Sequence, residues 1–281
     1  MRVLSVGHCT LDHFGVVDRF LEPDFKVEMS KFSVQGGGSA ATAITTLARW
    51  DVETAFVGKV GSDSRGEHIE KTLSGEGVDT DAMVVEEDAV SQFSFIVVEE
   101  SSGRKKTLYT RGNVSSLRAD EVDESLLDEV DILLVDGQQP QAQAVLCPKA
   151  RKRGATVVFD ASVVRDGADE LVEHCDLVIA SERFASQFTG VGRLERICEV
   201  LLERGPTRAV VTLGDEGVVG MERGNDEMIR VQPHEVRVVD TTGAGDVFLG
   251  AATYGLIRDW PFEKTLRYAN AAAGLSCRDV G

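Results

Sequence analysis

Eight residues, Val239-Asp240-Thr241-Thr242-Gly243-Ala244-Gly245-Asp246, set a small alanine between two glycines and place a carboxylate directly behind them. The residues that follow, Val247 to Leu256, read as an apolar helix. A glycine-rich turn that opens a helix aims several backbone N–H groups and the positive end of the helix dipole at one point, which suits a phosphate or a developing oxyanion. Asp246 would stand beside that anion, placed to take a proton from an attacking hydroxyl. No lysine follows the glycines, so the segment is not the phosphate loop G-x-x-x-x-G-K-[ST]. Simple helix capping by Asp246 accounts poorly for the paired threonines and the spaced glycines. An anion cradle with its own base points to phosphoryl transfer.

A second glycine run, Gln35-Gly36-Gly37-Gly38-Ser39-Ala40-Ala41-Thr42-Ala43, also leads into a helix. Glycines let a ligand approach the backbone closely, and Ser39 and Thr42 offer hydroxyls to a polyol. Gly36-x-Gly38-x-x-Ala41 also fits the dinucleotide fingerprint, but that pattern belongs in the first strand–helix turn, and here strand-like residues intervene. A tight helix entry without a ligand is the structural alternative. Asp12 follows the first apolar run, in Gly7-His8-Cys9-Thr10-Leu11-Asp12. At the carboxyl end of a central strand it would face the crevice where α/β proteins bind ligands; a solvated loop aspartate is the plainer reading. Asp63, in Gly58-Lys59-Val60-Gly61-Ser62-Asp63-x-x-Gly66, is expected to be a helix N-cap. Thr212-Leu213-Gly214-Asp215-Glu216-Gly217 suits either a plain turn or a loop laid against a nucleotide.

The elements that must position these residues alternate. Apolar, β-rich runs at Val3–Val6, Thr54–Val57, Ile132–Val135, Thr156–Phe159, Leu177–Ile179 and Ala209–Leu213 suit strands buried on both faces. Helical patterns lie at Ala40–Arg49, Arg65–Leu73, Gln141–Arg153, Leu194–Arg204, Val247–Leu256 and Phe262–Ser276. The alternation predicts an α/β fold, doubly wound around a mostly parallel sheet, with 1–281 as one domain. Residues 13–34 and 91–110 break the rhythm with one-sided strand pairs, turning near Pro23-Asp24 and Ser102-Gly103. They are expected to form a small separate sheet, a lid over the site.

Thirty basic against 47 acidic residues give a formal charge of −17, which repels nucleic-acid backbones and anionic membranes. A bound nucleotide would need local donors or Mg²⁺ to overcome that field. The five cysteines are scattered, with no C-x-x-C or Cys/His cluster, so neither a disulfide framework nor a structural zinc site is indicated. Neither a signal peptide nor a run of about 18 apolar residues is evident. A cytoplasmic protein is expected. Since no helix follows Phe262–Ser276, the chain is also expected to be incomplete at its C-terminus.

Gly37-Gly38-Ser39-Ala40-Ala41 and Asp240-Thr241-Thr242-Gly243-Ala244-Gly245-Asp246 resemble the two signatures of ribokinase-like (PfkB-type) carbohydrate kinases. The resemblance runs over nearly the whole chain and implies a ribokinase-like fold whose β lid often forms a dimer interface. It implies an ATP-dependent kinase acting on a hydroxymethyl group of a small sugar. Asp246 would be the catalytic base, and Gly243, Ala244 and Gly245 the anion hole. Asp12, Gly37 and Gly38 would contact the sugar, with Ser39 and Thr42 beside them. Thr212, Gly214, Gly217, Asn270 and Ala273 would border the nucleotide. Asp240 and Thr242 match positions that often help to hold a monovalent cation such as K⁺, whose remaining ligands would come from the incomplete C-terminus.

Two departures stand out. Thr42 replaces a frequent asparagine. Ser181 and Phe184 replace the asparagine and glutamate of an Asn-x-x-Glu motif that organises magnesium, so Mg²⁺ would be held through water and phosphate. The first signature and the Ser181-Glu182 region most resemble sulfofructose kinases and, next, ketohexokinases, which points to a ketose or ketose derivative. Sulfonate recognition would need cations, of which Arg111 is the nearest candidate, while Asp136-Gly137-Gln138-Gln139 offers amides to a sugar. A nucleoside kinase of this fold, or a catalytically weak sugar or nucleotide sensor, are the alternatives. For Asp246 itself, an ordinary carboxylate pKa of about 3.9 is expected, with the helix N-terminus favouring the ionised form.

Overall fold

The structure, a computed structural model, describes residues 1–20, 24, 26–225 and 227–281. Fourteen strands and eight α-helices alternate along these described residues. Six strands run parallel through the centre: β1 (Arg2–Val6), β4 (Glu53–Val57), β9 (Ile132–Val135), β10 (Thr156–Ala161), β11 (Leu177–Ser181) and β12 (Arg208–Thr212). Two antiparallel strands, β13 (Val218–Glu222) and β14 (Ile229–Val231), extend one edge. The order is β14-β13-β12-β11-β10-β9-β1-β4. Strand β9 is buried at all four positions, as a continuous Ile-Leu-Leu-Val run covered on both faces must be.

Helices cover both faces. On one side, α3 (Pro140–Lys152), α4 (Ala168–His174), α5 (Glu182–Thr189) and α6 (Leu194–Arg204) pack around Leu133, Leu146, Phe159, Phe184 and Leu201. On the other, α1 (Ser39–Ala48), α2 (Ser64–Gly75), α7 (Ala244–Ile257) and α8 (Phe262–Ser276) enclose Ile44, Phe56, Ile69, Leu249 and Leu266. Burial on this scale, at roughly 1.5–3 kcal/mol for each large apolar side chain, holds the scaffold rigid beneath the site. No helix among the described residues is long and apolar enough to cross a membrane.

The expected small sheet is present but starts earlier than residue 13. Its order is β3-β2-β7-β8, from β2 (Thr10–Val17), β3 (Lys31–Gly37), β7 (Phe93–Glu99) and β8 (Lys105–Thr110). Asp12 and Gly37 therefore belong to lid strands, not to loops, and Ser91 and Gln92 precede β7. Pro23 of the expected first turn lies outside the described residues; Gly103, in the left-handed region at φ 65°, makes the second. A short parallel pair, β5 (Lys59–Gly61) and β6 (Val84–Glu86), links lid and core. Asp63 caps α2 as expected, its Oδ1 accepting from Gly66 N at 3.0 Å. The apolar pattern did not reveal α4, α5, β5, β6 or β14.

Candidate active site

Three chain segments converge at the carboxyl ends of the central strands. The first is β2, which carries Asp12 out of the core and into the lid. Asp12 is buried, and its Oδ1 has no hydrogen-bond partner among the described residues. A buried carboxylate oxygen without a donor is costly, so the atom marks a place for one. The second segment is the β3–α1 junction. A Cβ at residue 37 would lie 2.1 Å from Asp12 Oδ2, and one at residue 38 would lie 2.5 Å from the His8 carbonyl. Gly38 also sits at φ 100°, so both glycines are required by close approach and the second by its backbone as well. The third segment is the loop before α7, where Gly243, at φ 75°, caps the helix. First-turn N–H groups have no acceptor within the helix, and that of Ala244 makes only a 3.4 Å contact with Thr241 O. Gly245 is exposed and Asp246 half-buried, both in the first turn of the helix.

Asp12, Gly37, Gly38, Thr42, Thr242, Gly243 and Asp246 line a single cavity of about 560 Å³. Ser39, which opens α1, is close enough to Asp246 to favour the ionised form of its carboxyl. Arg111 and Gln138 do not share this cavity. They line a neighbouring one of about 320 Å³ with His8, Gln92 and Arg165. Thr10 and Ser94, close enough to Asp12 to favour its ionised form, line that second cavity, so Asp12 stands on the partition between the two. Thr212, Gly214, Gly217, Asn270 and Ala273 line neither cavity. Thr212 ends β12, and Gly214 and Gly217 bracket the turn into β13. The Asn270 amide is turned onto Gln232 O at 2.7 Å.

Asp136, directly after β9, carries no motif that marks it as a site residue. It is buried and ties the site together: Oδ2 accepts from His8 N at 2.7 Å and Ala40 N at 3.4 Å. Oδ1 accepts from Gln138 N at 2.9 Å and Gln143 Nε2 at 3.1 Å. Asp160, at the end of β10, is also close enough for its charge and that of Asp246 to oppose each other.

Electrostatics reverse one expectation. The pKa of Asp246 is raised to about 7. Burial is the main cause, the Asp136 and Asp12 charges add to it, and Ser39 and Lys105 only partly oppose it. Desolvation and like charge outweigh the helix N-terminus. Asp12 and Asp160 are raised too, both chiefly by burial. Because Asp246 holds its proton more tightly folded than unfolded, the stabilisation this gives is complete below the unfolded pKa of about 3.8 and is lost as pH rises to about 7. The melting temperature of the ligand-free protein is therefore expected to fall between pH 5 and pH 8. Asp246→Asn should flatten that slope and melt a few degrees higher at pH 8. Differential scanning calorimetry decides; a wild-type melting point that climbs over this range would refute the raised pKa.

The expected magnesium motif is absent for a packing reason. Phe184 is fully buried and stacked on Phe188 at 5.1 Å between ring centroids, and Ser181 caps α5, accepting from Phe184 N at 3.1 Å. Neither can serve a metal. Among the described residues no group of three or more His, Cys, Asp or Glu side chains could hold an ion.

The family model for pfkB family carbohydrate kinases matches residues 1–281. The chain is 29% identical to the ATP-dependent ribose-1-phosphate kinase of Halopiger xanaduensis, covering 100% of this chain and 93% of that one. It is 29% identical to the 5-dehydro-2-deoxygluconokinase of Bacillus subtilis, covering 97% and 89%. The ribokinase of Arabidopsis thaliana, solved with ribose and ATP, superposes with a TM-score of 0.82 at 23% identity, covering 99% and 93%. A doubly wound sheet with a separate β lid, a glycine-bounded cradle and a carboxylate in its first turn come together here over the full length of the match. The chain belongs to the pfkB family of carbohydrate kinases, ATP-dependent phosphotransferases with a ribokinase-like fold.

Proposed function

We propose that this sugar kinase transfers the γ-phosphoryl group of ATP to a hydroxymethyl group of a small ketose derivative that carries an acidic group. The observation that carries the acidic group is the second cavity. Of its cations, buried Lys59 is spent on Glu121 at 2.7 Å and Glu86 at 3.2 Å. Arg111 and Arg165 form no ion pair among the described residues, although the chain bears a formal charge of −17. Both line the same cavity as His8, whose imidazole is held towards its neutral form chiefly by burial, with the two guanidinium charges adding to that and Asp136 opposing it. Two unpaired arginines in a polar hollow suit a carboxylate, phosphate or sulfonate. The Bacillus subtilis and Halopiger xanaduensis relatives are named for a gluconate derivative and a sugar phosphate, both anionic.

In this reading Asp12, Gly37, Gly38, Ser39 and Thr42 hold the sugar hydroxyls, and Gln138, with Arg111 and Arg165, reads its far end. Asp246 orients the hydroxymethyl oxygen. That oxygen forms a bond to the γ-phosphorus while the bond to the β–γ bridging oxygen breaks; the proton passes to Asp246, and ADP leaves. A pKa near neutrality suits a base better than that of an ordinary carboxylate. The N–H groups of Gly243, Ala244 and Gly245 face the transferring phosphoryl group. Thr212, Gly214, Gly217, Asn270 and Ala273 border the nucleotide, and Mg²⁺ is held by phosphate oxygens and water. The outer lid face, with Phe32, His13, Phe95 and Leu108 side by side, forms a homodimer interface. The enzyme acts in the cytoplasm and binds neither nucleic acid nor membrane. Light scattering tests the dimer, and a monomer at micromolar concentration would refute it.

A coupled ADP-release screen over neutral ketoses, aldoses, sugar acids, sugar phosphates, sulfosugars and nucleosides tests the substrate. Arg165→Ala and Arg111→Ala should each raise KM about 10- to 100-fold for the acidic substrate, the worth of a charged hydrogen bond, while sparing neutral sugars. Turnover confined to nucleosides, or binding of sugars without turnover, would refute the reading.

A further inference from the structure

The family resemblance implies a monovalent cation beside Asp240 and Thr242, but the side-chain oxygens of these two residues are already engaged. Asp240 is fully buried and both of its carboxylate oxygens are engaged. Oδ1 accepts from Thr242 N at 3.0 Å and Thr242 Oγ1 at 2.8 Å, and Oδ2 accepts from Gly281 N at 3.2 Å. The Thr242 hydroxyl, its proton given to Asp240, accepts in turn from Lys105 Nζ at 2.9 Å. An ammonium already stands at this position, and a second cation beside it would be repelled.

Lys105 arrives from the lid. It opens β8, directly after the hairpin turn at Gly103. That turn is seated on the loop leading to the cradle, where a Cβ at 103 would lie 3.3 Å from Val239 O. Lys105 has no ion-pair partner among the described residues, so its charge is not spent elsewhere. Its field reaches both sides of the loop. It favours the ionised form of Asp246, and likewise of Cys277, in each case against a larger opposing effect of burial.

We propose that the Lys105 ammonium is the resident cation of the phosphate cradle, standing in for an exchangeable monovalent ion beside Asp240 and Thr242 and offsetting charge on the transferring phosphoryl group. The inference rests on the kinase reading above. Lys105 forms no bond to either reactant, so the transfer balances as already written. A cation fixed on a strand is oriented before the reaction begins and costs no ordering of a free ion when charge develops. Because it is borne by the lid, the charge is present only while lid and cradle are together.

The test uses the full chain. Exchanging K⁺ for tetramethylammonium at constant ionic strength should change the wild-type rate by less than about twofold. Lys105→Met should lower kcat about 30-fold or more while KM for the sugar stays within about threefold. Lys105→Ala should recover part of its rate with added ethylammonium, which a purely structural lysine would not allow. Calorimetry with ADP and aluminium fluoride, a mimic of the transferring phosphoryl group, should show about tenfold weaker binding in Lys105→Met, with ADP alone unaffected. Activation of the wild type about tenfold by K⁺ would overturn the proposal. So would a folded Lys105→Met that keeps its kcat or its aluminium fluoride affinity. If the wild type turns over no sugar, the kinase reading fails separately, and the calorimetry still decides the role of Lys105.

Discussion

Asp246→Asn is expected to lower kcat by about 10²- to 10⁴-fold, the range that a positioned general base contributes, with sugar affinity changed far less. Asparagine keeps the shape but cannot take a proton. The size of the effect follows from the surroundings. Asp246 lines the same cavity as the unpartnered Asp12 oxygen, and burial with two neighbouring carboxylates raises its pKa to about 7. The wild-type kcat/KM should therefore fall about tenfold for each pH unit below 7, and this acid limb should vanish in the variant. Steady-state kinetics from pH 5 to pH 9 check both. A variant with kcat within about threefold of wild type would move the base elsewhere.

Gly38→Ala is expected to remove about 2–4 kcal/mol of stability, because it combines a left-handed backbone with a clash against main chain. A methyl group at 38 would lie 2.5 Å from the His8 carbonyl and 2.8 Å from Cys9 Cα, atoms that cannot turn aside as a side chain could. The same carbonyl accepts from Ala41 N at 3.3 Å, so relief of the clash pushes β1 and α1 apart where Asp136 holds them. Sugar KM should rise along with a melting point lower by about 5–10 °C. Thermal denaturation and the ADP-release assay measure the two effects, and a variant unchanged in both would mean that this junction is soft. Ser39→Ala removes only a hydroxyl at the neighbouring position and separates local chemistry from backbone strain.

The long elements were legible because their apolar spacing is strong. Helices α6 and α8 occupy the residues that their periodicity assigns, and β9 coincides with its Ile-Leu-Leu-Val run. The short ones were not. Helices α4 and α5 have seven and eight residues, too few turns for a period to stand out. Gly7 and His8 before Thr10, and Asp12 after it, made the start of β2 look like a loop, although lid pairing extends the strand to that point. In the site, the motifs located Asp246, Gly37 and Gly38, since glycine and aspartate there answer local backbone needs. Arg165 and Lys105 carry no such local sign. In a sequence every exposed cation looks alike, and only the fold shows that Arg165 lines a cavity and that Lys105 reaches Thr242 from the lid. The pKa of Asp246 was misjudged for the same reason, because Asp136 lies 110 residues away in sequence (246 − 136) and adds its charge only once the chain has folded.

Strand β2 leaves the core three residues after β1 ends and runs unbroken past Asp12, the carboxylate proposed to hold the sugar, to the end of the small sheet. Cover and grip are thus one piece of backbone. A hinge there cannot release the roof without also withdrawing the hand that holds the sugar, so a tighter hold and a slower exit are the same adjustment. On that proposal turnover is expected to be governed by release, and solvent viscosity should act on kcat more strongly than on the phosphoryl step itself.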